Sequence, residues 1–215
     1  MRITLLCSDP DHPVVGHLEK WISELSPAHV ADLVFKKSDL TSGDFLFLVS
    51  CSEIITLEQR SPYQYSLVLH AGDLPRGRGW SPHIWEIVRG AEEITLSLLE
   101  AEDRVDSGRI WIKKRIPIAK DALWNEINTV LFNAETDLMT EAINNCQDIT
   151  PCEQSLSLEP SYYPRRTPKD SEIDPAKSIQ EQFDLIRVCD PIRYPARFEL
   201  YGKSYKIVLE KSDHE

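Results

Sequence analysis

The sequence predicts an α/β fold: an open, mostly parallel sheet with flanking helices, followed by a small C-terminal helix and β-hairpin appendage. Three observations support this prediction. Short apolar runs and helical stripes alternate along the first half of the chain, as in strands joined by crossovers. A polar, glycine-rich loop follows a strand that ends at His70, and open α/β sheets bind their ligands beyond such strand ends. The 215 residues are enough for one domain of ordinary size and an appendage.

The first half of the chain contains four predicted elements and one ambiguous segment. Residues 2–8 are a short apolar run that predicts a buried first strand. Apolar side chains at spacings of three and four predict a helix over residues 14–25. Residues 30–35 are apolar, but their alternation is too weak to decide between helix and strand. Two further apolar runs, 44–50 and 66–69, predict the second and third buried strands.

The next part of the chain continues the alternation of strands and helices. A helix is expected over residues 82–90, with Ser81 as its N-cap and a proline at its first position. Residues 94–100 and 109–113 alternate between apolar and polar side chains, which predicts two strands separated by an acidic loop. Apolar residues at helical spacing predict a long helix over residues 121–146.

The C-terminal third changes in composition. Residues 147–177 are polar and rich in proline, which indicates an irregular segment. A short helix is expected over residues 178–188, and strands 197–200 and 204–209 flank a three-residue turn with a glycine. The predicted parts are a catalytic core, an irregular linker and a small appendage, over residues 1–146, 147–177 and 178–215.

Composition and charge argue against several classes of function. The 35 acidic residues exceed the 24 basic ones, for a net charge of -11, and such a surface repels a phosphate backbone, so no nucleic-acid partner is expected. No apolar run approaches the roughly 20 residues of a membrane helix, and no secretory signal is apparent, so no membrane association is expected. The five cysteines form no CxxC pair, which suits a reducing cytoplasm better than a disulfide framework.

Two residues are the strongest candidates for chemistry. His70 lies at a strand end beside a glycine-rich loop, where an imidazole is well placed for acid–base work, although a structural hydrogen bond would also explain it. Asp106 lies in a Val-Asp-Ser-Gly turn, where aspartate often only forms the turn. Because both are expected at carboxyl-end loops of neighbouring strands, a carboxylate beside the imidazole would hold its orientation.

Residues 69–79, Leu-His-Ala-Gly-Asp-Leu-Pro-Arg-Gly-Arg-Gly, and residues 105–108, Val-Asp-Ser-Gly, resemble the paired motifs of the formyltransferase family. The spacing between the two motifs also matches that family. Residues 162–174, which begin Tyr-Tyr-Pro-Arg-Arg-Thr-Pro, are similar to the segment that follows the core in its sugar and tRNA members. The resemblance covers residues 44–146 well and residues 1–43 in outline, and is closest to the sugar N-formyltransferases, which have a methionyl-tRNA formyltransferase-like core.

The resemblance implies a fold, a co-substrate and roles for individual residues. It implies a Rossmann-like sheet and formyl transfer from 10-formyltetrahydrofolate to an amine. His70 would stabilise charge at the formyl carbonyl or protonate the departing folate nitrogen, and Asp106 would orient His70 and relay a proton. Two loops would form the walls of the folate pocket. Their residues are Ser52, Glu53, Ile55, Asp103, Val105 and Asp106.

The sequence departs from the family in two respects. The family asparagine two positions before the histidine is Val68 here, which offers no hydrogen bond. Loss of one oxyanion donor costs about 100- to 1000-fold in rate in known enzymes, so Ser50, Cys51 or a backbone N–H is expected to replace it unless the protein is a weak catalyst. The N-terminal half is also shortened, since His70 comes earlier in the chain than the family pattern implies.

Further residues are candidates for substrate binding. Arg76 and Arg78 beside the site could hold a phosphate, with exposed loop residues as the alternative reading. Trp80 and His83 could also reach substrate, with packing and solvation as the alternatives. The acidic loop over residues 100–106 lacks metal-loop spacing, so no metal is expected.

The leading hypothesis is a cytoplasmic N-formyltransferase that acts on a nucleotide-linked amino sugar in surface-glycan biosynthesis. A tRNA substrate is disfavoured by the acidic composition and by a short tail in place of the C-terminal β-barrel of the tRNA members. Two alternatives stay open: a 10-formyltetrahydrofolate hydrolase, and a non-catalytic folate- or nucleotide-sugar-binding module. A homodimer formed through the tail hairpin is a further expectation.

Overall fold

A six-stranded mixed sheet lies at the centre of the computed structural model, which describes residues 1–212. The strands of the described chain are β1 (Arg2–Leu6), β2 (Val30–Val34), β3 (Gly43–Val49), β4 (Tyr63–His70), β5 (Arg78–Gly79), β6 (Glu93–Glu100), β7 (Ile110–Pro117), β8 (Tyr162–Tyr163), β9 (Ala196–Leu200) and β10 (Lys203–Ile207). The central sheet has the order β2-β1-β3-β4-β6-β7. Its first four strands are parallel, and β6 and β7 are each antiparallel to the strand before them in that order.

Three of the helices pack against one face of this sheet in the main core cluster, and the segment between β3 and β4 packs on the other face, in the α/β architecture that the sequence predicts. The helices are α1 (Val15–Glu24), α2 (Leu57–Arg60), α3 (Pro82–Val88), α4 (Trp124–Asn145) and α5 (Ile179–Arg187). Strand β3 is buried on both faces from Phe45 to Val49, which explains its continuous apolar sequence. The indole Nε1 of Trp21 in α1 donates to Thr140 Oγ1 in α4 at 2.8 Å, so the two helices are joined on one face of the sheet.

Three local expectations are settled or corrected by the structure. The ambiguous segment 30–35 forms the edge strand β2, which a single 3₁₀ turn at Lys37–Asp39 connects to β3. Ser81 is the N-cap residue of α3, as expected, but it is left-handed (φ 44°) and its side chain makes no capping hydrogen bond. The tail hairpin has a two-residue turn: Tyr201 and Gly202 both have positive φ, as a type I′ turn requires.

The proline-rich segment 147–177 is irregular but contacts the core at defined points. Cys152 forms an antiparallel bridge with Ile110, next to the start of β7. Strand β8 pairs in parallel with β5, so the polypeptide returns to the glycine-rich loop after His70. The division into core, linker and appendage stays a prediction, although these contacts show how the three parts are tied together.

The C-terminal helix α5 is fixed to the core by one buried arginine. Arg187 is 2% exposed, and its Nη1 donates to the carbonyl oxygens of Ala119 and Ala122 at 3.1 Å each. Its Nε donates to Asp184 Oδ1 at 2.7 Å. No helix within residues 1–212 has the length and apolar character needed to cross a membrane.

Arg187→Met should lower the free energy of unfolding by about 1–3 kcal/mol, because the substitution removes the hydrogen bonds of a buried guanidinium, including a buried one to the Ala122 carbonyl. Urea denaturation followed by circular dichroism measures this change. Arg115→Met is the matched control: Arg115 is 77% exposed, so a change below about 0.5 kcal/mol is expected. Equal effects of the two substitutions would contradict the assignment of Arg187 as an anchor.

Candidate active site

The imidazole of His70 is held at the carboxyl end of β4. The residue is 7% exposed, and its Nε2 donates a hydrogen bond to the carbonyl oxygen of Gly77 at 2.7 Å. Because this bond occupies the Nε2 proton, Nδ1 is the ring nitrogen left to exchange a proton. Gly72 permits the close packing here, since a Cβ at that position would lie 2.8 Å from Nε2.

Asp106 lies directly beside this free ring nitrogen. Its Oδ1 is 3.5 Å from His70 Nδ1, and both side chains are 8% exposed. The second carboxylate oxygen accepts the backbone N–H of Gly79 at 2.8 Å. The structure therefore brings together the two residues that the sequence pattern pairs, with Asp106 fixed on one side and free to share a proton on the other.

Asp106 reaches His70 by a route that differs from the expected one. Strand β6 is antiparallel to β4, so its last residue, Glu100, pairs with Leu67 in the middle of β4. The two residues are therefore not at the carboxyl ends of parallel neighbours, and the loop after β6 must fold back to reach His70. Asp106 adopts φ 51°, and a Cβ on Gly108 would collide with the Glu100 carbonyl, so the reversal depends on both positions.

Gln154 supports this folded-back loop and was not anticipated from the sequence. Its Nε2 donates to the carbonyl oxygens of Asp106 and Gly108 at 2.8 and 2.9 Å, and its Oε1 accepts from Arg78 Nη2 at 2.6 Å. A glutamine within an irregular polar segment carries no pattern that would distinguish it from its neighbours.

A cavity of about 620 Å³ opens beside the His70–Asp106 pair, within the range of small-molecule sites. Its lining includes all six residues expected to hold the folate. They are Ser52, Glu53, Ile55, Asp103, Val105 and Asp106. The loop after β3 and the loop after β6 therefore form two walls of one cavity.

A buried arginine ties these two walls together. Arg60, at the end of α2, is 7% exposed. Its Nη1 donates to the carbonyl oxygen of Ile55 at 3.0 Å, and its Nη2 donates to Asp103 Oδ1 at 2.9 Å. The guanidinium group of Arg60 thus links the two walls. The sequence pattern did not predict α2, a helix of four residues.

The cavity rim stores backbone strain. Within residues 1–212, four residues other than glycine have positive φ, and three of them, Ser50, Ser81 and Asp106, line the cavity. Such residues cluster at functional sites, where the surrounding structure holds them. Ser50 follows Val49, which pairs with Leu69, so Ser50 flanks His70 on the cavity.

The remaining candidates divide into two groups. Val68, Trp80 and His83 line the cavity. Arg76 is exposed and Arg78 is buried, and the lining of the cavity includes neither of them. Arg78 also donates to Tyr162 Oη at 3.2 Å and so joins the segment after residue 147 to the core. Neither Arg76 nor Arg78 is therefore part of the site that we propose.

Three titratable groups of the cavity lining have shifted pKa values, and of these the sequence pattern indicated only His83. Glu135 in α4 is 4% exposed, and burial raises its pKa to about 8. Burial lowers the pKa of His12 to about 4 and that of His83 to about 3. All three residues line the cavity. Because of these pKa values, the uncharged form of each side chain predominates at neutral pH. Glu135 was missed because it lies on an otherwise apolar stripe of a helix.

A buried imidazole beside a carboxylate, as in the His70–Asp106 pair, is an arrangement that can relay a proton to or from a molecule in the cavity. No cluster of three or more metal-binding side chains occurs in the described part of the chain. Burial raises the pKa of the Cys51 thiol, which disfavours it as a nucleophile. The sheet, the cavity and the pair define the class: an α/β enzyme of group transfer.

Comparison with known proteins identifies the family. The family model described as formyl transferase matches residues 15–143, which is more than half of the chain, and both motifs lie within this range. The chain belongs to the formyl transferase family. The fold class and the family resemblance drawn from the sequence are thereby confirmed.

Similar proteins include members with different substrates in their names. A methionyl-tRNA formyltransferase of Clostridium beijerinckii is 27% identical over 194 residues, covering 86% of this chain and 61% of that protein. The structure of a methionyl-tRNA formyltransferase from Clostridium thermocellum has a TM-score of 0.79 at 22% identity, covering 96% of this chain and 97% of that one. WlaRD, a sugar 3N-formyl transferase solved with dTDP and 5-N-formyl-THF, has a TM-score of 0.65 at 14% identity, covering 87% and 78%.

The raised pKa of Glu135 predicts a pH-dependent difference between the wild type and Glu135→Gln. The carboxyl ionises at about its usual 4.5 when unfolded and at about 8 when folded, so between these values the folded state binds more protons. Wild-type stability should therefore fall relative to the variant as pH rises from about 4.5 to 8, by at most about tenfold in the folding equilibrium constant per pH unit.

Urea titrations at intervals of one pH unit measure this difference. Glu141→Gln is the control on the same helix, because Glu141 is exposed and should give curves parallel to those of the wild type. A Glu135→Gln curve that is also parallel to the wild type would show that Glu135 is ionised in the folded protein.

Proposed function

We propose that this chain transfers a formyl group from 10-formyltetrahydrofolate to the amine of a nucleotide-linked amino sugar. The observation that carries the proposal is the His70–Asp106 pair, with Oδ1 and Nδ1 3.5 Å apart, beside one cavity. The lining of this cavity includes the two loops expected to bind the folate and also polar groups from the loop after β1, from α3 and from α4.

The reaction balances without a further reagent. The amine lone pair forms a bond to the formyl carbon, and the carbonyl electron pair moves onto the oxygen. Collapse of this intermediate restores the carbonyl and breaks the bond to N10 of the folate. The attacking nitrogen loses one proton and N10 gains one, so the pair relays a proton and none is consumed.

Each residue of the pair has a distinct part in this relay. His70 Nδ1 accepts and returns the proton, because Nε2 is committed to the Gly77 carbonyl. Asp106 holds the ring from the other side and is itself fixed by Gly79. Ser50 is the proposed donor to the developing oxyanion, since it flanks His70 on the neighbouring strand.

Charge and the lining of the cavity support the proposed class of acceptor. The net charge of -11 disfavours the phosphate backbone of a tRNA. The chain spans 61% of the length of the curated methionyl-tRNA formyltransferase that it matches, so the activity of that whole protein is not transferred to it. Arg165 lies over Trp80 at 5.0 Å from the ring centroid and lines the cavity, where it can meet a diphosphate.

Amine-dependent release of tetrahydrofolate from 10-formyltetrahydrofolate tests the proposal, with dTDP-linked 4-amino-4,6-dideoxyglucose as the acceptor. The wild type should release tetrahydrofolate only when the amine is present. His70→Gln should lower the turnover number by about 100- to 10,000-fold, the range of general acid–base catalysis. His29→Gln is the control, because the lining of the cavity does not include His29.

Other outcomes of the same assay would favour the alternatives. Equal formate release with and without amine would indicate a 10-formyltetrahydrofolate hydrolase. Binding of the folate without turnover of the amine would indicate a non-catalytic binding module. An unchanged turnover number for His70→Gln would contradict the assigned role of the imidazole.

Arg60→Met should weaken folate binding, because the two walls of the pocket lose the guanidinium that joins Ile55 to Asp103. The dissociation constant for 5-formyltetrahydrofolate is expected to rise by about 10-fold or more, the effect of roughly 1.4 kcal/mol. Isothermal titration calorimetry measures it, with Arg109→Met as the control, since the Arg109 side chain is 49% exposed. Unchanged affinity would place the folate elsewhere.

A further inference from the structure

The two backbone groups that orient the His70–Asp106 pair belong to one short segment. The carbonyl oxygen of Gly77 accepts from His70 Nε2 at 2.7 Å, and the N–H of Gly79 donates to Asp106 Oδ2 at 2.8 Å. The other nitrogen of the ring, Nδ1, and the other carboxylate oxygen, Oδ1, are the two atoms that face each other. Residues 77–80, the orienting segment, therefore hold both members of the pair from their outer sides.

Ser161, from the proline-rich part of the chain, holds the first half of the orienting segment. Its hydroxyl oxygen accepts the backbone N–H of Gly77 at 2.9 Å, and its carbonyl oxygen accepts the N–H of Arg78 at 2.9 Å. The peptide group whose carbonyl meets His70 is thus adjacent to two hydrogen bonds from a single serine. Loss of the hydroxyl would free the N–H of Gly77 and loosen the carbonyl of the same residue.

Tyr163 holds the second half of the orienting segment. Its carbonyl oxygen accepts the N–H of Trp80 at 3.0 Å, and a Cβ on Gly79 would lie 2.5 Å from the same oxygen. The two backbones are therefore in direct contact, which only glycine at position 79 permits. The N–H of Gly79 points away from this contact and is the one that reaches the carboxylate of Asp106.

Gln154 joins the orienting segment to the loop that carries Asp106. The glutamine is 8% exposed, and its Oε1 accepts from Arg78 Nη2 at 2.6 Å. Its Nε2 donates to the carbonyl oxygens of Asp106 and Gly108. One buried amide group therefore fixes the side chain of the orienting segment and the backbone of the catalytic loop relative to each other.

We propose that Ser161 and Gln154 are positioning residues for formyl transfer, which hold the backbone groups that orient His70 and Asp106. The lining of the cavity includes neither Ser161 nor Gln154, so both act through the pair. The inference rests on the proposed function for its effect on turnover, whereas its effect on the imidazole is measurable without a substrate. It makes part of segment 147–177 a component of the catalytic apparatus.

The position of the Gly77 carbonyl decides which ring nitrogen of His70 carries the proton. An acceptor at Nε2 favours the neutral tautomer with its proton on Nε2 and a lone pair on Nδ1. If this carbonyl moves away, the proton is drawn to Nδ1, where Asp106 accepts it. That tautomer has no lone pair on Nδ1 to take a proton from the attacking nitrogen. A loosened orienting segment therefore lowers turnover without removing any contact with a ligand.

Steady-state kinetics of formyl transfer test the two residues separately. Ser161→Ala removes the acceptor of the Gly77 N–H. Gln154→Glu keeps the size of the side chain and the acceptor for Arg78, but an ionised carboxylate has no donor for the two carbonyls. Each substitution should lower kcat by about 10-fold or more, since a small displacement of catalytic groups by a remote mutation has effects up to about 100-fold. The KM values for both substrates should stay within about twofold.

Two further serine variants separate positioning from a general loss of structure. Ser161→Thr keeps a hydroxyl at an exposed position and should restore kcat to within about threefold of the wild type. Ser157→Ala is the matched control, because Ser157 is exposed in the same segment and its hydroxyl contacts Ser155. Its kcat should equal that of the wild type.

The ¹⁵N NMR shifts of His70 test the same inference without a substrate. Spectra are recorded at about pH 9, well above the ordinary imidazole pKa of about 6.5, and the His70 signals are assigned by their loss in His70→Gln. Nε2 of the wild type should have the shift of a protonated nitrogen and Nδ1 that of an unprotonated one. Ser161→Ala should move both shifts toward the opposite tautomer, and Ser161→Thr should reverse this change.

The outcomes for positioning and for the reaction are distinct. Unchanged kcat and unchanged His70 shifts in both Ser161→Ala and Gln154→Glu would overturn the positioning role. A fall in kcat that Ser161→Thr does not restore, or that comes with an equal rise in KM, would also overturn it. Absence of formyl transfer by the wild type would contradict the proposed function alone, since the NMR comparison still decides the placement of the ring. If Gln154→Glu does not fold, the three serine variants carry the test.

Discussion

The contact between His70 and Asp106 depends on a loop that reverses its direction against the sheet. Strand β6 runs antiparallel to β4, so nothing in the topology alone brings Asp106 to the end of β4. The approach is held by the N–H of Gly79 on the carboxylate and by Gln154 on the loop backbone. The catalytic geometry is therefore built by segments distant in sequence that converge on one turn.

The acidic groups of the surface and of the cavity interior differ in their burial. The chain carries a net charge of -11, which repels a polyanion such as a nucleic-acid backbone. Inside the cavity, Glu135 is 4% exposed and burial raises its pKa to about 8, whereas Asp106 lies beside the His70 imidazole. Acidic side chains therefore have a different electrostatic environment at the surface and in the interior of the cavity.

The sequence pattern predicted the structure correctly wherever local sequence determines it. The run over residues 44–50 is apolar because β3 is buried on both faces, and the motif around His70 identifies both the strand end and the family. The sequence pattern did not predict features that depend on contacts between segments distant in sequence. The two-residue pairing of β5 with β8, the supports Gln154 and Arg60, and the antiparallel direction of β6 are set by contacts that no local periodicity encodes.

The C-terminal appendage belongs to the site, although pattern separates it from the core. Arg187 fixes α5 to the carbonyls of Ala119 and Ala122, just before α4 begins. The residues after α5 then run along the cavity, where Asp190, Arg193 and Tyr194 join its lining. Arg193 pairs with Asp9 from the loop after β1, so this segment is joined to the rest of the lining. Loosening α5 should therefore disturb this part of the cavity, whereas Arg60 holds Ile55 and Asp103 by contacts that do not involve α5.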